Sequence, residues 1–295
     1  HGEPKAEIPF QCLPEKELMV FPEGQRDERV VSIAEYCRKK GGDLQKCSAS
    51  LTQDSQQKAR ELGEILRIGE PLEKKALHRF PDSSHGWDRF AVETCCGRLV
   101  PMLLKKPTAG GDFLLLAGPT GKHDLAATSL YAEAFKSGSG VALVDLWGTG
   151  ETEDFDTACA SVYHDLSRSC LWLGKTLLGE WTRDFGILES ILRDDFHAEQ
   201  IIFGGHKEAG LAALFAAVFS DQKMPVVLED SPRTFLFHEQ AARSEPRTSF
   251  YSMALHVPGI LEWGDIPLAV SLAGGAVRFI NPRRSDGAID KQSPT

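Results

Sequence analysis

The sequence predicts an α/β fold: a mostly parallel central sheet flanked by helices. Three observations predict it. Two short, wholly apolar runs, Phe113 to Ala117 and Val141 to Val144, have the length and composition of strands covered on both faces. Beyond residue 113, helical patterns at 124–136, 181–193 and 208–219 alternate with strand-like runs at 200–204, 225–229 and 276–281. Polar or glycine-bearing turns follow most of those strands, on the edge where sites in open α/β sheets collect.

Taken in order, residues 1–27 are rich in Pro, Glu and Lys and read as an irregular lead-in. Val30, Ile33, Ala34 and Cys37 have helical spacing over 28–40, and Gly41-Gly42 is expected to stop that helix. Ala59, Leu62, Ile65 and Leu66 mark a second helix near 53–68. The chain thus divides into a lead-in with a small helical arm, 1–75, and a sheet domain, 76–295. Segments 86–96 and 98–105 read as two antiparallel strands at a sheet edge. The run from Leu211 to Phe219 has little polar relief, so its helix must be covered on most of its surface. The chain opens His1-Gly2-Glu3-Pro4, which reads as a mature form, a tag remnant or a piece of a longer protein.

Composition narrows the function classes. Lys plus Arg is 33 and Asp plus Glu is 42, a formal net charge of −9. An acidic chain lacks the positive field that nucleic acids and anionic membrane surfaces require. No apolar run approaches the ~20 residues of a membrane span. The seven cysteines (12, 37, 47, 95, 96, 159 and 170) form no C-x-x-C, which argues against a zinc ribbon. They are expected to be mostly buried small side chains, with Cys95 and Cys96 on opposite faces of a strand. Nothing in the sequence implies a cofactor or a metal.

The most informative stretch is Ile201 to Gly210, IIFGGHKEAG. An apolar strand enters a glycine-rich turn and leaves directly as an apolar helix, the context of a nucleophile elbow. With Gly205 as the first small residue, Lys207 stands where the pattern G-x-S-x-G has Ser. Two readings of Lys207 stay open: a Schiff-base amine, whose pKa the helix start would depress, or a solvated or ion-paired lysine on a degenerate elbow. His206 and Glu208 flank it as further candidates, or as structural polar groups.

Four loops are expected to frame the same edge. Gly118 to Asp124 (GPTGKHD) carries Lys122 and His123. It only superficially suggests a phosphate loop, because Leu116 stands five residues before Gly121 where Walker A needs Gly. Asp145 to Glu151 (DLWGTGE) carries Trp147 and Glu151, and its G-x-G lacks the third glycine of a dinucleotide fingerprint. Glu229-Asp230-Ser231 and Asn281 to Gly287 offer Asp230 and Asp286 as triad acids. The order Ser, Asp, His then requires a later histidine, yet the last in the chain is His256. A pocket lined by Lys122, His123, Trp147, Glu151, His206, Lys207, Asp230 and Asp286 is expected.

Together DLWGTGE, GHKEAG with its LAALF helix, VLEDS and Asn281-Pro282 resemble bacterial α/β-hydrolase-fold proteins of the acetyl-xylan-esterase type. They are most similar to the degenerate second unit of tandem carbohydrate-esterase-like proteins, over roughly residues 76–290. The resemblance implies an α/β-hydrolase fold, an acylated polysaccharide as substrate or ligand, an upstream catalytic domain as partner, and extracellular or periplasmic residence. It also implies an oxyanion hole built from the Glu208 N–H and the 118–123 loop. This sequence departs from the pattern at several points. Trp147 replaces the usual Arg of Asp-x-Arg-Gly, Lys207 replaces the Ser, and the chain stops about where a final strand and its histidine loop would begin. Two functions compete: an esterase with a non-standard catalytic set, and a non-catalytic module that supports a partner or binds carbohydrate. A lyase or decarboxylase using Lys207 is a distant third.

Overall fold

The computed structural model describes residues 11–21, 29–49, 54–81, 86–108, 110–136, 138–153, 163–236 and 250–291. One eight-stranded mixed sheet organises them, in the order β1-β2-β3-β5-β4-β6-β7-β8. The strands are β1 Lys74–Phe80, β2 Asp88–Thr94, β3 Leu99–Lys105, β4 Phe113–Ala117, β5 Gly140–Val144, β6 Ile201–His206, β7 Val226–Glu229 and β8 Val277–Ile280. Pairings β1–β2, β2–β3 and β3–β5 are antiparallel; the other four are parallel.

The wholly apolar strands sit where they must. Every residue of β4 and β5 is buried. Alternate side chains divide between two cores, as the strand period of two requires. Phe113, Leu115, Ala117, Ala142 and Val144 face the larger core. Leu114, Leu116, Val141 and Leu143 join the smaller one with Leu125, Leu130 and Ala134. The helices are α1 Glu15–Leu18, α2 Ile33–Ala49, α3 Ser55–Leu66, α4 Ser129–Ala134, α5 His164–Trp172, α6 Leu177–Asp194, α7 Glu208–Phe219, α8 Ile260–Trp263 and α9 Asp265–Leu272. Helices α6 and α7 cover the larger core, while α4 covers the smaller. Helix α7 is buried from Glu208 to Ala217, and β6 lies between β4 and β7, as the apolar run predicts.

Several expectations are corrected. The Gly41-Gly42 pair does not end its helix; α2 continues to Ala49. A Cβ on Gly41 would lie 2.8 Å from a Leu236 methyl and 2.9 Å from one of Leu261. The glycine therefore serves a close helix approach and is not a stop signal. The antiparallel pair is not the sheet edge, because β1 lies outside it. That strand is largely exposed and carries no apolar period. The 124–136 helix is a 3-10 turn, Asp124–Ala127, followed by the short α4. Among the described cysteines only Cys170 is buried; Cys12, Cys37, Cys47, Cys95 and Cys96 are exposed. Cys95 and Cys96 occupy the turn after β2, so the strand alternation does not apply to them. Cys159 lies outside the described residues. Leu62 and Leu66 of α3 belong to the larger core.

A buried ion network pins the β2–β3 hairpin to α6. Arg98 Nη1 donates to Asp184 Oδ1 at 2.6 Å, and Arg98 Nη2 donates to Glu180. Glu180 also meets Arg183 and Lys175, each at 3.2 Å. Burial works to raise both carboxyls. At Glu180 the charges of Arg98, Arg183 and Lys175 together outweigh burial, and the group sits below its usual range. At fully buried Asp184 burial prevails over Arg98 and the group sits above it.

Two stability outcomes follow. Leu214 is fully buried in α7. Leu214→Asp loses its packing and buries an unpaired charge, costing several (~3–6) kcal/mol; loss of the cooperative thermal transition is the readout. Arg98→Met leaves Asp184 buried without a cation, while Glu180 keeps Arg183 and Lys175, and should cost about 3–5 kcal/mol. A denaturant midpoint equal to wild type would show that the network contributes nothing.

Candidate functional site

Strand β6 reverses into α7 at Lys207, which has φ 51° and ψ −124°. A residue with a Cβ rarely adopts this conformation, which costs of order 1–3 kcal/mol. It persists because the flanks leave no alternative. A Cβ on Gly205 would lie 2.4 Å from the Gly210 nitrogen, and one on Gly210 would lie 2.2 Å from Ser231 Oγ. The Lys207 N–H donates to the Glu229 carbonyl at 2.8 Å, and Ser231 Oγ donates to the Lys207 carbonyl at 2.7 Å. The turn is therefore a nucleophile elbow in its backbone, with a lysine at the tip.

The structure gathers four of the predicted residues at this elbow. His206 Nε2 lies 3.4 Å from Asp230 Oδ2, while Arg283 Nε donates to Asp230 Oδ1 at 2.8 Å. The other ring nitrogen, His206 Nδ1, is buried without a hydrogen-bond partner. Glu208 is 1% exposed. Its Oε1 accepts the Ser252 N–H, and its Oε2 is buried without a partner. The Lys207 ammonium sits 4.5 Å from the centre of the Phe250 ring, and Arg283 approaches the same ring at 5.7 Å. Tyr251 Oη reaches the carbonyls of Asp230 and Arg283, at 3.0 and 2.7 Å. Residues 250–252 thus lie across the elbow.

The other predicted residues fall into separate groups. Lys122 is buried; its N–H donates to Asp145 Oδ1 at 2.7 Å, and its ammonium pairs with Asp145 and Glu151. The Glu151 N–H also donates to Asp145, at 3.1 Å. Asp145 thereby ties the loop after β4 to the loop after β5, and the Lys122 N–H is already engaged. His123 is exposed at the start of the 3-10 turn. Trp147 lies under the Arg98 guanidinium at 4.7 Å, and its N–H donates to Asp184 at 2.8 Å. Asp286 is bonded within its own loop, to Arg284 at 2.7 Å and the Ala288 N–H at 3.0 Å.

Tyr163 reaches the loop after β4. Its hydroxyl donates to the Pro119 carbonyl. Burial, then the charges of Glu153, Glu208, Asp124 and Asp145, raise its phenol far above the usual range. Burial, Glu208 and Asp230 do the same at Tyr251. Both phenols remain neutral donors in acidic surroundings. Phe250, Tyr251 and Tyr163 escaped sequence reasoning, since none falls on a periodic element or in a motif. Asp145 and Arg283 stood within quoted loops, but their partners are distant in sequence.

Three grooves open elsewhere. One runs between α6 and the end of α7, beside Arg183, Glu189 and Phe219. Another lies beside Arg233, Arg283 and Lys291. The third lies between Cys37 and Leu44 of α2 and the start of α8. None of the three is lined by the eight residues expected to frame a pocket. Among the described residues no group of three His, Cys, Asp or Glu is arranged to hold a metal ion. No described helix is long and apolar enough to cross a membrane.

If the Lys207 conformation is imposed by the fold, glycine should suit position 207 better than alanine. Both replacements remove the ammonium, so the contact with Phe250 cancels between them. Lys207→Gly is expected to be more stable than Lys207→Ala by about 1 kcal/mol. Equal denaturant midpoints would mean that the backbone relaxes when the lysine is removed.

No protein-family model matches the sequence, and no curated protein matches it. Solved structures do. A candidate acetyl xylan esterase from Bacteroides fragilis superposes with a TM-score of 0.55 at 16% identity, over 86% of this chain and 70% of that one. Acetyl xylan esterase 1 from a Thermoanaerobacterium species gives 0.47 at 14% identity, over 77% of each chain. An acetyl xylan esterase from a Paenibacillus species gives 0.43 at 14% identity, over 83% of this chain and 94% of that one. The first superposition, with the strand order and the elbow, identifies the architecture as the α/β-hydrolase fold.

Proposed function

We propose that this chain is a hydrolase-fold domain of carbohydrate-esterase type whose elbow has lost acyl transfer. The observation that carries the reading is Lys207 at the elbow tip, its ammonium held on the Phe250 ring. Acyl transfer through an elbow needs a nucleophile that forms a labile ester, and a base within reach of it. An amine attacking an ester forms an amide, which does not turn over. Ser231 is no substitute: it is fully buried and its hydroxyl is spent on the Lys207 carbonyl.

Parts of a catalytic apparatus persist. The His206–Asp230 pair has the form of a base and its orienting acid, at 3.4 Å. Asp230 is shared with Arg283, however, and the dyad has no elbow hydroxyl to activate. The Glu208 carboxylate, buried beside the helix start where an oxyanion would be stabilised, opposes a developing negative charge. The Lys122 N–H, in the loop that would supply a second donor, is committed to Asp145. These features favour a module that binds or supports over one that turns over. The partners proposed for it are an acylated polysaccharide and a separate catalytic domain.

The test is hydrolysis of nitrophenyl acetate by the wild-type chain, Lys207→Ala and Lys207→Ser. All three are expected at or near background, the ceiling being the residual ~10³-fold over water that an oxyanion hole and binding alone can leave. Lys207→Ser fails with the others because installing a hydroxyl does not free the dyad from Arg283. Robust wild-type turnover that disappears in Lys207→Ala would overturn the proposal and make Lys207 a catalytic residue.

A further inference from the structure

The hairpin between β2 and β3 reads Thr94-Cys95-Cys96-Gly97-Arg98. The Gly97 N–H donates to the Thr94 carbonyl at 2.9 Å, and the Thr94 N–H donates to the Arg98 carbonyl at 2.9 Å. Gly97 closes the loop at φ 82°. This is a three-residue loop in which a β-turn is followed by a left-handed residue. The two cysteines are therefore the central residues of the turn, and both are exposed.

The turn also builds a setting for one sulfur. Cys96 Sγ lies 3.2 Å from Thr94 Oγ1, and the same hydroxyl accepts the Arg98 N–H at 3.0 Å. With Cys96 ionised, the hydroxyl turns its one proton from the Arg98 carbonyl, 3.2 Å away, to the thiolate. That bond is the chief cause holding the Cys96 thiol below its ordinary range; the Arg98 N–H and the guanidinium charges of Arg98 and Arg183 add to it against modest burial. The contrast is Cys170, whose thiol burial pushes up to about 11. A thiolate that is exposed and stabilised is the reactive form of cysteine.

We propose that Cys95 and Cys96 form an oxidisable thiol pair, with Cys96 the sulfur that attacks a hydroperoxide and Cys95 the thiol that resolves it. In the first step the Cys96 thiolate attacks the peroxide. The S–O bond forms as the O–O bond breaks, and the departing oxygen takes a proton and leaves as water or an alcohol. Cys96 is oxidised by two electrons to the sulfenic acid. In the second step the Cys95 thiolate attacks that sulfur. The S–S bond forms, the S–O bond breaks, and hydroxide leaves as water after taking a proton. The balance is two thiols and one hydroperoxide in; one disulfide, one alcohol or water, and one water out. Cys95 is the adjacent residue in the chain, so the disulfide closes across a single peptide bond and is a strained, readily reduced one.

The experiment treats the full chain with hydrogen peroxide under non-reducing conditions and follows each cysteine peptide by mass spectrometry. Dimedone traps sulfenic acid, and an alkylating agent marks the remaining thiols. Cys96 should be oxidised about five- to ten-fold faster than exposed Cys12 or Cys37. The wild-type 95–96 peptide should lose two mass units without capturing dimedone. Cys95→Ser should instead accumulate the dimedone adduct at Cys96, and Cys96→Ser should lower oxidation at 95 to the rate of Cys12. Oxidation of Cys96 no faster than Cys12 and Cys37 would overturn the proposal. So would a stable sulfenic acid in the wild-type chain, because Cys95 would then not be resolving it.

Discussion

The carboxyl edge of the sheet depends on one close approach, that of the Gly205 backbone to Gly210. The two chain segments are so near that neither position tolerates a Cβ. That contact forces the chain to reverse within a single residue, and Lys207 carries the resulting strain. It also aligns the end of β6 with that of β7, where the Lys207 N–H donates to the Glu229 carbonyl and the Ser231 hydroxyl donates to the Lys207 carbonyl. From this junction His206 and Asp230 inherit their positions. The packing of the buried α7 stabilises the reversal from below, each fully buried Leu or Phe contributing about 1.5–3 kcal/mol.

Charge organises the neighbouring loops. Lys122 and Asp145 close the loops after β4 and β5 on one another, while Arg98 holds the β2–β3 hairpin to α6. Both pairs are buried, and each charge is compensated by more than one hydrogen bond. Such arrangements fix geometry more than they stabilise, because desolvation offsets most of the Coulombic gain. Trp147 joins the two systems. Its ring lies under Arg98, and its carbonyl accepts the Trp181 indole N–H at 2.8 Å.

How much was legible in the sequence differs by kind of signal. Strands β4 and β5 were readable because burial on both faces leaves only apolar residues. The elbow was readable because its small flanking residues are a steric requirement of the turn, whatever residue stands at its tip. Strand β1 was not readable: an exposed edge strand of the composition KKALHRF carries no alternation. The Gly41-Gly42 pair misled because a glycine can stop a helix or admit a neighbour, and only the position of Leu261 decides. At the site, Lys207, His206, Glu208 and Asp230 lie together around the elbow. Lys122, Trp147 and Asp286 found partners whose identity depends on contacts far apart in sequence. Phe250 and Tyr251 carry no local pattern at all.

The lysine at the elbow separates two properties that a working hydrolase presents together. The sharp turn is usually understood through the residue it lifts. Here the turn is intact although the residue it lifts is a lysine where the usual pattern has serine. The geometry therefore belongs to the flanks, Gly205 and Gly210, and the tip is a mutable display position on a rigid mount. Lineages built on such a joint can exchange the tip residue without refolding the domain, while a change at either flank removes the joint itself. Sequence drift should then be fast at 207 and slow at 205 and 210, the reverse of what selection on a catalytic tip imposes.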